Sequence, residues 1–211
     1  MILGIHNQSD VTPLLLDGLQ RLEAEYGESY WIGLTTSKGA IRQASGSVQY
    51  LSTQLPNYPA KLGIAILASG DPAGVTPLPR LLKSDKLAVA YVGRLDNAPC
   101  ILEYLLKLGY KFESKTDEEL IYMLLNRYLE VGISPAEAMK LVLLRLRGRF
   151  AMMLLISQPE EMLMVGSRGC PLALGVCNES LIAGSDIEML KPISQSVMRL
   201  EEGNPIVLCS V

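Results

Sequence analysis

Apolar and polar residues follow two rhythms along this chain, and the changes between them mark out its elements. Ile2-Leu3-Gly4-Ile5 is a short, unbroken apolar run of the kind that forms a buried strand. Beyond Asp10 the spacing becomes helical: Val11, Leu14, Leu15, Gly18, Leu19 and Leu22 recur at three and four residues and share one face. Thr12 is expected to cap that helix, and Pro13 suits its first turn, where an N–H would lack a partner anyway. Residues 30–36 and 41–44 are rich in strand formers and flank a turn, the pattern of a hairpin. A short helix is predicted over 47–55. Residues 62–68 and 87–92 read as fully buried strands. Between them, 70–79 holds three prolines and two glycines, which excludes regular structure.

The middle of the chain predicts three helices. Asn97 is placed to cap the first, whose apolar face is Ile101, Leu102, Leu105 and Leu108, with Gly109 as its stop. Thr116-Asp117-Glu118-Glu119 and Ser134-Pro135-Ala136-Glu137 are capping boxes that open the other two. From Arg149 onward the pattern is strand after strand, at 150–156, 161–165, 172–176, 180–183, 197–200 and 205–209. Strands, helices, then strands, without regular alternation, argue for antiparallel sheets with segregated helices and against a doubly wound parallel sheet. No repeat or linker interrupts the chain, so one domain over 1–211 is expected.

Composition narrows the field. Of 211 residues, 49% are hydrophobic and 19% charged, as in a globular domain. A net charge of −3 gives no electrostatic reason for a nucleic-acid or anionic-membrane partner. No apolar run is long enough to span a bilayer, and no basic segment precedes the first strand, so a cytoplasmic protein is expected. Cys100, Cys170, Cys177 and Cys209 form no C-x-x-C pair, and His6 is the sole histidine. Neither a metal site nor a cofactor is expected from that set.

Several stretches, in order and at matching spacing, resemble the glutaminase domain of class II glutamine amidotransferases, most closely that of the glutamine–fructose-6-phosphate aminotransferase (glucosamine-6-phosphate synthase) family. Ile2-Leu3-Gly4 with Leu14-Leu15-Leu16-Asp17-Gly18-Leu19 resembles its opening, Gly63-Ile64-Ala65 its Gly-Ile-Ala strand, and Gly93 with Asp96-Asn97 the end of its Asn-Gly stretch. Gly109-Tyr110-Lys111-Phe112 through Thr116-Asp117, Leu146-Arg147-Gly148, Cys170-Pro171-Leu172, Ala183-Gly184-Ser185-Asp186 and Leu200-Glu201-Glu202-Gly203 follow the same family. The resemblance implies an α+β, four-layer αββα sandwich of two antiparallel sheets flanked by helices, of the N-terminal-nucleophile hydrolase kind.

The same resemblance implies a chemistry whose parts are missing. Family members begin with a cysteine whose thiol attacks glutamine while its own α-amino group serves as base. Here Met1 falls on the glycine after that cysteine, and nothing before Ile2 stands for the nucleophile. Val92 replaces the asparagine that donates to the oxyanion, although Gly93 remains. Between Ala65 and Gly70, the family's glutamine-carboxylate loop is reduced to Ile66-Leu67-Ala68-Ser69, without a cation or an aromatic residue. Asp117 matches the aspartate that holds glutamine's α-amino group, yet an acid in a first helical turn has a purely structural use as well. Met1, Ser69, Gly70, Val92, Gly93 and Asp117 are thus the expected vestigial cleft.

The expectation is a glutaminase-like domain without glutamine hydrolysis. It would act as a regulatory, partner or ligand-binding protein, its partner a separate synthase or isomerase chain and its ligand glutamine or glutamate-like. Two alternatives stand beside this. One is a hydrolase with a relocated nucleophile at Cys170, beside Ser167-Arg168-Gly169, and the other is an amino-acid sensor using Asp117.

Overall fold

The computed structural model describes residues 1–26, 30–37, 39–55, 59–68, 86–158, 160–177, 179–185 and 187–208. β1 (Ile2–Asn7) leads into α1 (Thr12–Tyr26), then the hairpin β2 (Tyr30–Ser37) and β3 (Ala40–Gly46), α2 (Val48–Gln54) and β4 (Leu62–Ala68). β5 (Leu87–Leu95) precedes three helices, α3 (Ala98–Lys107), α4 (Asp117–Glu130) and α5 (Pro135–Arg145). β6 (Gly148–Ile156), β7 (Met162–Arg168), β8 (Ala173–Cys177) and β9 (Ser180–Gly184) follow. Then come α6 (Ile187–Leu190), a 3-10 turn at Lys191–Ile193, β10 (Ser196–Arg199) and β11 (Ile206–Leu208). The predicted order of elements holds, with α6 and its 3-10 turn as additions that four residues of pattern are too short to reveal.

The strands form two antiparallel sheets, one ordered β10-β8-β9-β1-β4-β2-β3 and the other β11-β7-β6-β5. Alternation along each strand sends side chains to two different cores. Along β5, Ala88 and Ala90 join Ile2, Ile64, Ala151, Met153, Leu163 and Val165 between the sheets. Leu87, Val89 and Tyr91 face the other way, onto α3, α4 and α5 through Ile101, Leu105, Leu120, Leu124 and Val142. A third core joins the outer face of the larger sheet to α1 and α2 through Leu3, Ile5, Leu15, Leu19, Leu22, Val48 and Leu51. Helix, sheet, sheet and helix make the four expected layers.

The helix starts differ from their sequence reading in instructive ways. Asp10, not Thr12, serves the start of α1: its Oδ1 accepts the backbone N–H of Thr12 and of Ala60, both at 3.0 Å, so it also ties the helix to the approach of β4. Asn97 precedes α3 without capping it. Its amide instead donates to the Arg145 carbonyl at 3.0 Å and accepts the Arg147 N–H at 2.8 Å, closing the α5–β6 turn. Thr116 and Ser134 do cap, each accepting the N–H of the glutamate three residues on.

Candidate functional site

The end of the sandwich where β1 begins gathers most of the residues singled out above. β1 is the central strand of the larger sheet, paired with β4 from Ile2↔Ile66 and with β9 from Leu3↔Gly184. Its start is fastened by Ser185, whose hydroxyl accepts the Ile2 N–H at 3.1 Å while its own N–H donates to the Ile2 carbonyl at 3.1 Å. The Met1 side chain packs toward α1, on the opposite face from Ile2, and burial lowers the Met1 amine below the ordinary α-amino range. Ser69 and Gly70 lie outside the described residues, as does the 70–79 loop.

Facing Ile2 across the inter-sheet core is a row set by strand register: Val92 opposite Ala151, and Ala151 opposite Ser167. Val92 is half-buried and packs against the same apolar cluster as Cys170, the one that contains Ile2, Leu172 and Ala183. Gly93 beside it has φ +125, and a Cβ there would lie 2.2 Å from the Arg149 carbonyl oxygen and 2.6 Å from the Phe150 Cα. Only glycine lets β5 run this close to β6 at that point, so Gly93 has a sufficient structural role.

Asp117 is brought to the same end, but its carboxylate is engaged. One oxygen, Oδ2, accepts the Tyr91 phenol at 3.0 Å and the Leu95 N–H at 2.9 Å. The Leu95 N–H points out from the edge of β5, away from β6, and Asp117 is what satisfies it. Burial, and then the charge and hydrogen bond of Asp117, push the Tyr91 phenol well above its usual range, so it remains a donor. Tyr91 also stacks on Phe150, with ring centroids 6.1 Å apart. The first turn of α4 is therefore bolted to β5 by side chain and backbone together.

Cys170 lies in the crossover from β7 to β8. Gly169 before it has its N–H bonded to the Glu202 carboxylate at 2.8 Å and its carbonyl to the Arg149 guanidinium at 3.1 Å. The thiol is half-buried and free. His6 is the fifth residue of β1, buried between Leu62 and Leu181, with burial and Lys61 lowering its pKa. The structure thus brings Ile2, Val92, Gly93, Cys170 and Asp117 to one end and leaves the lone imidazole away from it. Among the described residues, no group of three metal-ligating side chains converges.

Three residues at this end escaped the sequence reading. Tyr91 falls within the 87–92 run, where periodicity marks it only as part of a strand. Ser185 lay in a recognised motif, but its clasp on Ile2 joins positions 183 residues apart. Ser167 is the third: its hydroxyl is buried between the sheets without a protein hydrogen-bond partner, and the alternation Leu163, Val165, Ser167 along β7 was the available sign.

Comparison with known proteins agrees with this geometry. A family profile described as "Glutamine amidotransferase domain" matches residues 64–192. The glutamine–fructose-6-phosphate aminotransferase of Zymomonas mobilis is 32% identical over 98% of this chain and 35% of its own length. That of Brucella abortus is 34% identical with the same coverages. The chain therefore spans about a third of the length of these relatives. Among solved structures, the glutamine phosphoribosylpyrophosphate amidotransferase of B. subtilis superposes with a TM-score of 0.78 over 98% of this chain and 46% of its own, at 19% identity. A glutamine aminotransferase class-II domain protein from Silicibacter pomeroyi gives 0.54 over 98% and 93%, at 11% identity. At those identities the structures speak for the fold, and the sequence matches speak for kinship. By sequence and by architecture, this chain belongs to the class II glutamine amidotransferase domains, as a homologue of the glutaminase portion of glutamine–fructose-6-phosphate aminotransferase.

Proposed function

We propose that this chain is a glutaminase-like domain that does not hydrolyse glutamine and that acts, as one domain, as a regulatory or partner subunit. The observation that carries the reading is Val92. Where the family's oxyanion donor is expected, the chain presents a branched aliphatic side chain packed into the inter-sheet core. An oxyanion donor contributes on the order of 3–4 kcal/mol to an acyl-transfer transition state, and an isopropyl group contributes none of it. Asp117 supports the same reading from the substrate side. A carboxylate that already accepts a phenol and a backbone N–H is held as a structural tie, which weighs against the sensor alternative.

Because the relatives are about three times longer, the partner proposed is a separate chain carrying the isomerising aminotransferase activity that their names describe. The deciding experiment is incubation of the native protein, its N-terminus defined by intact mass, with glutamine and an ammonia assay. No release above the uncatalysed rate is expected, with or without a Cys170→Ser change. Turnover that depends on Cys170 would replace this reading with the relocated-nucleophile one, and turnover independent of Cys170 would sink both.

A further inference from the structure

A groove of about 610 Å³ runs along the outer side of α4, away from the inter-sheet cleft. It exists because the chain after α3 folds back: Tyr110, Phe112 and Met123, all partly buried, line it beside the edge of Tyr122, whose ring is otherwise part of the core under α4. Asn126 and Glu130 follow Tyr122 at successive helical turns, since positions 122, 126 and 130 repeat every four residues. The wall is held from below by Glu119, whose carboxylate accepts the N–H groups of Glu113, Ser114 and Lys115 at 2.7–2.8 Å. The groove is therefore preformed, with three aromatic rings and a thioether as its apolar surface.

One charge in it is aimed. Tyr110 donates its phenol to Glu130 Oε2 at 2.7 Å, and Asn126 donates its amide to Oε1 at 2.6 Å. Burial, with the Glu130 hydrogen bond second, pushes the Tyr110 phenol up to about 12, so it remains a donor across the physiological range. No cationic side chain among the described residues forms an ion pair with Glu130. Arg127 instead lines the neighbouring hollow beyond Tyr110, with Leu108 and Gly109, while Lys111 lines the groove itself without an ion pair to Glu130 among the described residues. A carboxylate oriented by two donors, in a groove with aromatic lining, favours an organic ammonium over a neutral or anionic group.

We infer that this groove binds an organic cation of the arylalkylamine type, its ammonium against Glu130 and its flat apolar body against Tyr110, Phe112 and Met123. The site is independent of the glutamine cleft, because Val92 and Cys170 face the core between the sheets and this groove faces solvent beside α4.

The probe is 2-phenylethylamine, with 2-phenylethanol as its uncharged counterpart, titrated into methyl-labelled methionine protein and read by NMR at Met123. The amine is expected to give a saturable shift, with a dissociation constant of about 1 mM or tighter, and the alcohol to bind about tenfold more weakly. Glu130→Gln changes an exposed side chain and should fold normally; it should reduce the amine to the affinity of the alcohol and leave the alcohol unchanged. Equal binding of amine and alcohol would make the groove merely apolar and overturn the inference. So would absence of any saturable shift at Met123, or amine affinity unaffected by Glu130→Gln.

Discussion

Tyr91 and Asp117 are joined by a 3.0 Å hydrogen bond that ties strand β5 to the first turn of α4. The same carboxylate oxygen takes the Leu95 N–H, so the residue best matched to a substrate-binding role is also a structural tie between two layers. Hydrogen bonds to a charged acceptor are among the stronger ones. Asp117→Ala is expected to cost about 2 kcal/mol in urea unfolding and Tyr91→Phe about 1 kcal/mol. The double variant should reveal a coupling of about 1 kcal/mol. If Asp117 were reserved for a ligand, its replacement would leave stability unchanged and the coupling would vanish.

Glu119 carries a pH dependence. Burial raises its carboxyl, but the hydrogen bonds from Glu113, Ser114 and Lys115 outweigh that and hold it below the ordinary glutamate range. A folded-state value below the unfolded one, about 4.3, means the contribution to stability is present above that pH and is lost as the solution is acidified through the folded value. Glu119→Gln should lower stability by about 2 kcal/mol at neutral pH. Its deficit relative to wild type should shrink as pH falls below about 4. A deficit that is flat with pH would contradict the assignment.

Two glycines with positive φ should respond very differently to alanine. At Gly93 the added methyl meets the backbone of Arg149 and Phe150, which cannot swing aside, and a loss of more than about 3 kcal/mol is expected. At Gly109, with φ +89, nothing lies within 4 Å of the added atom, so only the conformational cost of about 1 kcal/mol applies. Equal losses in thermal unfolding would mean that conformation, not the close approach of β5 and β6, sets the requirement at Gly93.

Placing an asparagine at Val92 tests how strictly the inter-sheet core requires an apolar side chain there. The carboxamide would enter a cluster formed by residues such as Ile2, Ala151 and Leu172, and without a partner its burial should cost about 2 kcal/mol. Val92→Asn is therefore expected to be less stable and still unable to release ammonia from glutamine. Unchanged stability would indicate that the amide finds polar contacts at the rim of this core.

Much of the architecture could be read along the chain because local periodicity and global topology agree. Leu87 to Tyr91 alternate between two cores, and a strand buried on both faces reads as an unbroken apolar run. What could not be read were side chains that act at a distance. Asn97 looks like a cap by position, yet its amide reaches a turn almost fifty residues away. Asp10 supersedes Thr12 because β4 arrives beside it. The groove beside α4 was equally hidden, since Tyr110 and Phe112 become its wall only when the chain doubles back after Gly109. Within the candidate cleft, residue identity at Val92 and Asp117 was legible, but the Tyr91 bond to Asp117 was not, because periodicity does not specify which way a phenol points.

β1 lies in the middle of its sheet, with β4 on one side and β9 on the other. During synthesis, its first neighbour becomes available once residue 66 has emerged, and the second only after Gly184. For most of that interval β1 has one open edge and an apolar face awaiting the later strands, the condition that favours wrong pairing between nascent chains. Ordering by such distant contacts should make refolding slow, with β1 protected from hydrogen exchange only in the last phase.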